Sequence, residues 1–358
     1  MKPKIIFVTG SLEQGGAERV ISILTNKLLN NYDVSIVCYY NRPLFFSIAP
    51  EVNIHNLEKD SGYHNVLSKA IFFRKFLLSQ KNCVVVPFML PYYVFTVLSL
   101  LGTKLKIVAS ERTDPRRHSF YRKILSRLCL FRVNALVVQT ESAKSYYPLR
   151  IQAKTTIIYN PLGDDFKNNY YKSSTGNINI VTMSRFVKEK NLQLLIHSFD
   201  NLKDNFNNIT LTMYGNGPLK DELQNLVKHL NLQNRIFFPG HTSNVSRALS
   251  EADIYVCSSH YEGLPNSLIE AMSCGIPSVS TRVAGAVDLI EDGVNGLLVN
   301  IGDLNAMTTA LIKLCNNDSL RDKMGKEASK IRELVNPHLI IKQWEQLLNK
   351  VLVCHKDD

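Results

Sequence analysis

The sequence predicts two α/β domains, each a doubly wound parallel sheet. Three observations predict this. At 358 residues the chain is too long for one ordinary core and suits two. Short β-rich apolar runs alternate with segments of helical periodicity, as in βα units feeding a parallel sheet. The alternation breaks at a polar stretch and then restarts. In order, residues 4–10 (KIIFVTG) form a strand, and 16–30 a helix with Val20, Ile21, Leu24 and Leu28 on one face. DVSIVCYY, CVVVPF, LKIVAS and ALVVQT follow as strands. Asn160, Pro161 and Gly163 supply turn chemistry, and 163–177, rich in Asn, Ser, Lys and Gly, reads as a linker. The second half has strand NINIVTMS, a helix over 191–202, then strands NITLTMYG, RIFFPG, DIYVCSS, PSVST and GLLV. A last helix covers 337–353. The expected domains are 1–162 and 163–336, both Rossmann-like, with a cleft between them.

Composition narrows the function. A chain 45% hydrophobic and 20% charged is globular. Seven scattered cysteines, with no C-x-x-C pair, argue against a disulfide framework or a zinc site and for a reducing cytosol. The N-terminus reaches a Gly-rich turn after a short apolar run and reads as a strand rather than a signal peptide. Charge is lopsided: residues 1–160 carry 22 Lys+Arg against 9 Asp+Glu, net +13, and the rest 20 against 22, net −2. The first half therefore faces something anionic, whether membrane surface, lipid pyrophosphate or nucleic acid. Residues 82–103 carry no charge and approach the length of a membrane span. Pro87 and Pro91 split them into a buried strand at 84–86 and an apolar helix at 92–101.

The chemistry concentrates in HYEGLPNSLIEAMSCGIPSVS, residues 260–280. Glu262 and Glu270 stand eight apart around a Gly263-Leu264-Pro265-Asn266 turn that opens a helix. Unpaired N–H groups at such a turn hold an anion, while the carboxylates suit neutral hydroxyls. A ligand with both a phosphate and many hydroxyls is a nucleotide-sugar. Glu270 lies among Leu268, Ile269, Ala271 and Met272, where an unpartnered carboxylate is costly. Arg185 and Lys190 follow a strand, five apart, and offer a fork and a point charge to a diphosphate. Taken alone, that loop also reads as a solvated charged segment, and Lys188 is a rival to Lys190. Gly15 and Gly16 follow the first strand and permit close approach to phosphate or sugar. Their GGAE is not G-x-G-x-x-G, so a dinucleotide site is poorly supported.

Together these segments resemble the E-x7-E signature of retaining glycosyltransferases of the GT-B fold, family 4. GGAERV at 15–20, SRFVKEKN at 184–191, YGNGP at 214–218 and EDGVNGLLV at 291–299 fit that family in order and spacing. The resemblance implies that Arg185 and Lys190 hold the donor diphosphate and stabilise its developing charge. It implies that Glu270 accepts from the ribose hydroxyls, that Glu262 contacts the transferred sugar, and that Gly263 to Asn266 hold donor oxygens. Gly215, Gly240 and His241 become neighbours of base and phosphate, with His241 equally an ordinary loop residue. The terminal helix is expected to pack back on the first domain. No D-x-D motif is present, so no metal and no other cofactor is expected.

The acceptor side departs from the family, whose members often place a histidine after the LKIVA strand. This chain has Ser110-Glu111-Arg112, and the nearest histidine is His118. The SER-x-DP segment is similar to a subgroup of bacterial surface-polysaccharide and N-acetylgalactosamine transferases acting on lipid-linked acceptors, which leaves Arg112 to hold donor or acceptor phosphate. Residues 116–132 read as a basic amphipathic helix. Arg116, Arg117, Arg122, Lys123, Arg127 and Arg132 give the segment six positive charges and it has no acidic residue, and Phe120, Tyr121, Ile124, Leu125, Leu128 and Phe131 repeat at helical spacing. The expected partner is an anionic membrane surface; a core-packed helix with a basic solvated face is the alternative, and the two are compatible if the apolar side packs inward while the arginines meet lipid.

The leading expectation is a cytoplasmic, membrane-peripheral hexosyltransferase moving a sugar from a UDP-sugar to a lipid-pyrophosphate-linked saccharide. The rivals are a nucleotide-sugar epimerase of similar form and a nucleic-acid-binding protein. The last lacks any recognition motif.

Overall fold

The computed structural model describes residues 2–13, 15–62, 65–163, 166, 176–242 and 244–353. Most of the linker expected at 163–177 lies outside them. The chain divides into two compact units, Met1–Pro161 with Asn336–Asp358, and Leu162–Val335.

Unit 1 is a seven-stranded parallel sheet. Its strands are β1 (Lys4–Thr9), β2 (Asp33–Cys38), β3 (Asn53–Asn56), β4 (Cys83–Pro87), β5 (Lys106–Ser110), β6 (Ala135–Val138) and β7 (Thr155–Ile157), in the order β3-β2-β1-β4-β5-β6-β7. β1 pairs β2 from Lys4 with Asp33 to Thr9 with Cys38. Alternation along β1 sends side chains to opposite faces. Ile5 and Phe7 join a core with the helices Gly16–Leu28 and Pro337–Val353. Ile6 and Val8 join another with Val66–Ser79, Leu90–Ser99 and Phe120–Arg132. The uncharged stretch after residue 82 thus supplies a buried strand and one helix, which begins at Leu90 with Pro91 in its first turn. No helix among the described residues is long and apolar enough to cross a membrane.

Unit 2 repeats the plan with β8 (Ile178–Met183), β9 (Ile209–Tyr214), β10 (Ile236–Gly240), β11 (Ile254–Cys257), β12 (Ser278–Thr281) and β13 (Leu297–Val299), in the order β10-β9-β8-β11-β12-β13. Strand order reverses between β8 and β11, and ligands of doubly wound sheets bind outside the carboxyl ends of strands at such a switch. Two parallel sheets flanked by helices are the doubly wound architecture expected from the sequence.

Two readings need correction. The strands β3 and β7 went unforeseen. Both are sheet edges, one of them a polar NIHN run, so neither shows the apolar signature of a central strand. Residues 116–132 are not one helix: Pro115–Arg117 form a 3₁₀ turn and the helix starts at Phe120, after Ser119 at its N-cap. Of the two orientations left open for its apolar stripe, the structure has the outward one. It buries Ser126, Cys129 and Leu130 and leaves the large apolar side chains exposed.

Candidate functional site

The loop after β8 is set by backbone packing. Ser184 and Phe186 donate their N–H groups to the carbonyls of Tyr214 and Asn216, at 3.1 and 2.8 Å. Gly215, at φ +133°, lies so close beneath that a Cβ there would stand 1.8 Å from the Ser184 carbonyl oxygen. Its N–H reaches the Gly240 carbonyl at 2.9 Å, so Gly215 and Gly240 sit under the Arg185 loop. Arg185 itself is exposed. The loop ends in a 3₁₀ turn, Lys188–Lys190, closed by Asn191 in the left-handed region at φ 45°, before the helix Leu192–Asp200.

The loop after β11 is tied to the first. Ser258 donates its hydroxyl to the Lys190 carbonyl at 2.9 Å, and the His260 N–H reaches the Glu189 carbonyl at 2.8 Å. The Lys190 ammonium bonds the Glu262 carboxylate directly, and Ser259 donates to the same oxygen at 2.8 Å. Thr281, at the end of β12, anchors the Ser259 carbonyl at 2.6 Å. Lys190 and Glu262 are thereby brought together, and Lys188 is not in that pair. The Gly263-Leu264-Pro265 turn rests on the next helix, Ala284–Leu289, where a Cβ on Gly285 would stand 2.2 Å from the Gly263 carbonyl oxygen. Pro265 caps the helix Asn266–Ser273, which carries Glu270, 6% exposed. Beneath it the Tyr255 hydroxyl donates to Ser267 at 2.7 Å. Burial, then Cys257, with Glu262 and Glu270 further down, pushes that phenol well above its ordinary pKa.

Glu189 adds a second carboxylate to the cluster. Its pKa lies below the ordinary range, chiefly through its own backbone N–H, with smaller help from the Tyr261 hydroxyl, Arg185 and Lys190 against opposing desolvation. Glu189, Ser258, Ser259, Tyr261, Thr281 and Gly285 escaped the sequence reading. The hydroxyl pair Ser258-Ser259 directly after an apolar strand was the one local signal. His241 is exposed at the rim of β10.

Unit 1 gathers charge at the carboxyl ends of β4 to β7. Glu111 is fully enclosed. One oxygen accepts from the N–H groups of Arg112 and Thr113 and the Thr113 hydroxyl, at 3.0, 3.2 and 2.8 Å, and the other faces His118 Nε2 at 3.2 Å. The Arg112 guanidinium lies 4.4 Å from the Phe88 ring centroid and donates Nη1 to Asn160 at 2.8 Å. Its Nε and Nη2 are buried with no hydrogen-bond partner. Burial depresses Arg112 to about 9, offset in part by Glu111. A guanidinium keeps its proton in proteins, so the shift expresses the cost of a charge held there. Next to it Met89 takes φ 67° and ψ 155°, a region otherwise left to glycine. Gly15 caps the helix after β1 in extended conformation.

The basic residues of 116–127 scatter. Arg116 is held by Ser142, at 2.9 and 2.8 Å, and by Asp114. Arg117 and Arg122 are exposed and Lys123 is half-buried. Arg127 lies 5.1 Å from the Tyr146 ring centroid.

Residues 165–331 match the profile of the family described as Glycosyl transferases group 1. The chain is similar to an alpha-1,4-N-acetyl-D-galactosaminyltransferase of Campylobacter jejuni that acts on a GalNAc-GalNAc-diNAcBac-PP-undecaprenol, with 28% identity over 97% of this chain and 99% of the relative. Its fold is that of sucrose-phosphate synthase from Thermosynechococcus elongatus, TM-score 0.86 at 16% identity over 99% and 100% of the two chains. It is likewise that of Anabaena HepE solved with UDP, TM-score 0.81 at 16% identity over 98% and 100%.

Proposed function

We propose that this chain, a GT-B glycosyltransferase belonging to the glycosyl transferases group 1 through residues 165–331, transfers a hexose or N-acetylhexosamine from a UDP-sugar to a lipid-linked glycan in bacterial polysaccharide synthesis. One observation carries the reading. At the switch between β8 and β11, Lys190, Glu262 and Ser259 form one hydrogen-bonded unit beside Arg185. Cations that suit a diphosphate therefore adjoin a carboxylate that suits sugar hydroxyls. The relative acting on a polyprenyl-diphosphate saccharide supports the acceptor class, and the structural neighbour holding UDP supports the donor.

In this reading Arg185 and Lys190 bear on the diphosphate, where negative charge grows as the sugar departs. Glu262 orients the sugar ring. Glu270 takes the ribose hydroxyls, with the turn Gly263, Leu264, Pro265 and Asn266 against donor oxygens. Gly215, Gly240 and His241 neighbour the base and phosphate. Within unit 1, Gly15, Gly16 and Arg112 are the groups that suit a phosphate or a sugar. The acceptor hydroxyl bonds to the anomeric carbon on the face from which UDP leaves. The carbon–phosphate-oxygen bond breaks, and the hydroxyl proton passes to the departing phosphate oxygen. Configuration is retained, and these fixed cations replace a metal ion. The enzyme works at the cytoplasmic face of the membrane.

The test is transfer from a panel of UDP-sugars to a polyprenyl-diphosphate saccharide, with EDTA present and the product anomer read. We expect an α-linked product, and its loss in Glu262→Ala with the melting temperature kept. Full activity in that variant, or isomerised donor formed without acceptor, overturns the reading.

A further inference from the structure

Strand order in unit 1 also reverses, between β1 and β4, which makes the carboxyl ends of those strands a second place for a ligand. The loop after β2 is fixed there by its backbone. Tyr39, Tyr40 and Phe45 donate their N–H groups to the carbonyls of Thr9, Gly10 and Leu12, at 2.9, 2.8 and 2.9 Å. Asn41 donates its N–H to the Glu58 carboxylate at 2.9 Å, and the Asn56 amide donates to the Tyr40 carbonyl at 2.9 Å. Lys69, 1% exposed, sets its ammonium 3.0 Å from the Glu58 carboxylate and 4.3 Å from the Tyr39 ring centroid. The Tyr39 ring in turn meets Tyr40 at 4.9 Å, Phe95 at 5.2 Å and Tyr92 at 6.4 Å between centroids. The backbone of Tyr40 is thus held from three sides, while its ring is 43% exposed. Two polar groups stand nearby. Tyr92, in the first turn of the helix Leu90–Ser99, sets its hydroxyl against the loop after β1, where a Cβ on Gly10 would stand 2.1 Å from that oxygen. Burial, then Tyr40 and Glu18, push this phenol up to about 12, so it stays a donor. Glu18, in the first turn of the helix Gly16–Leu28, folds its carboxylate back over Gly15, where a Cβ would stand 2.0 Å from Oε2.

We infer that Tyr40, Tyr92 and Glu18 form a pyranose subsite, in which the Tyr40 ring stacks on the C–H face of a sugar while the Tyr92 hydroxyl and the Glu18 carboxylate hydrogen-bond its hydroxyl groups. A pyranose offers an apolar face and a polar rim together, and the corner offers an exposed ring with a donor and an acceptor beside it. A hydrocarbon chain would leave the phenol and the carboxylate unmet. A phosphate would be repelled by Glu18. A ring already ordered by its backbone loses little freedom on binding. The enclosed pair of Lys69 and Glu58 adds little to stability as such, and its service is to hold the loop that presents Tyr40. The groups proposed for the donor sugar lie in unit 2, so the sugar seated here is the acceptor's. That assignment rests on the proposed function and adds to it the residues that choose among acceptors.

The full 358-residue chain is mixed with the methyl α-glycosides of galactose, N-acetylgalactosamine and N-acetylglucosamine, and separately with UMP, and saturation-transfer NMR is read. We expect at least one glycoside to take up saturation on the ring protons of one face. Tyr40→Ser should abolish that signal and raise KM for the lipid-linked acceptor about five- to tenfold, with donor KM and melting temperature unchanged. Tyr40→Phe keeps the ring and should keep both the signal and the acceptor KM. Tyr92→Phe loses only the hydroxyl and should raise the acceptor KM about fivefold. Absence of a signal from every glycoside, a signal untouched by Tyr40→Ser, or a rise in donor KM alone overturns the inference. So does saturation of UMP that Tyr40→Ser removes. Glycoside saturation that depends on Tyr40, in a chain that transfers no sugar to any lipid-linked acceptor, would sink the proposed function and leave the subsite standing.

Discussion

Both sheets gather charge at the carboxyl ends of their strands, and the two clusters are assembled on opposite terms. In unit 2 opposite charges meet: Lys190 on Glu262, with Arg185 and Lys190 both drawing on Glu189. Hydroxyls of Ser258, Ser259 and Thr281 stitch the loops, and glycines let backbone lie on backbone. In unit 1 the charges are enclosed and unevenly matched. Glu111 has its oxygens filled, while Arg112, stacked on Phe88, leaves two nitrogens unpartnered beside the strained Met89. The Lys190–Glu262 pair, its side chains 20% and 14% exposed, is largely enclosed but matched, each charge meeting its opposite. A buried guanidinium missing its bonds costs stability, and the fold alone gives no reason to keep it. Unit 2 therefore looks built to hold charge in readiness, and unit 1 carries a charge at the fold's expense.

The largest effect should come from removing the paired cation of unit 2. Lys190→Met deletes a cation proposed to face the departing diphosphate, and such contacts matter most in the transition state. We expect kcat to fall by about 10² to 10³, or about 3–4 kcal/mol, with KM for the donor changed far less. The melting temperature should fall only modestly, because Glu262 keeps the Ser259 hydroxyl when this largely enclosed pair is broken. A drop confined to KM would mean that Lys190 binds the ground state only. Unchanged kinetics would return Arg185 to Lys190 to the status of a solvated charged loop.

How far each cluster could be read from the sequence follows the same division. The pairing of the Lys190 loop with the Glu262 loop was legible because each spacing is local: a loop after each of two strands, with a turn opening a helix. What holds them was not. Gly285 matters because its missing side chain admits the Gly263–Pro265 turn, and Ser258 because it crosses from one loop to another; neither contact leaves a trace in its own neighbourhood. The cluster of unit 1 draws on β4, β5, β6 and β7, residues 88 to 160, so Ser110-Glu111-Arg112 could be noticed but not its partners Asn160 and Phe88. The orientation of the helix Phe120–Arg132 stayed open for a general reason. An apolar stripe normally marks the core side, yet here Ser126 and Cys129 fill that side and the stripe is left over.

The second effect is smaller and should point in opposite directions for stability and activity. Arg112→Met keeps the bulk against Phe88 and removes the unpaired guanidinium. Replacing poorly matched buried charge by an apolar side chain is often stabilising. We expect a melting temperature higher by about 2–4 °C, near 1 kcal/mol for a unit of this size. Transfer should meanwhile fall by about tenfold, as one charge-assisted contact to phosphate is lost. A lower melting temperature would show that the bond to Asn160 outweighs the orphaned nitrogens. The contrast between the units would then shrink to one of burial.

The smallest effect tests the paired character of unit 2 through its pH dependence. Glu189 has a folded pKa below its ordinary value of 4.5, with its own N–H, Tyr261, Arg185 and Lys190 as causes. An acid with a depressed folded pKa adds stability that is fully present above its unfolded value and is lost as pH falls through the folded one. Comparing wild type with Glu189→Gln by melting temperature, the wild-type advantage should hold from pH 7 to about 5 and fade below about 4.5. Solvent screening keeps it well under 1 kcal/mol, so salt should shrink it further. An advantage that persists unchanged to pH 3 would mean that Glu189 acts through shape rather than charge. The cations beside it would then be held by the backbone of the β8 loop alone, and the pairing that distinguishes unit 2 would reduce to Lys190 and Glu262.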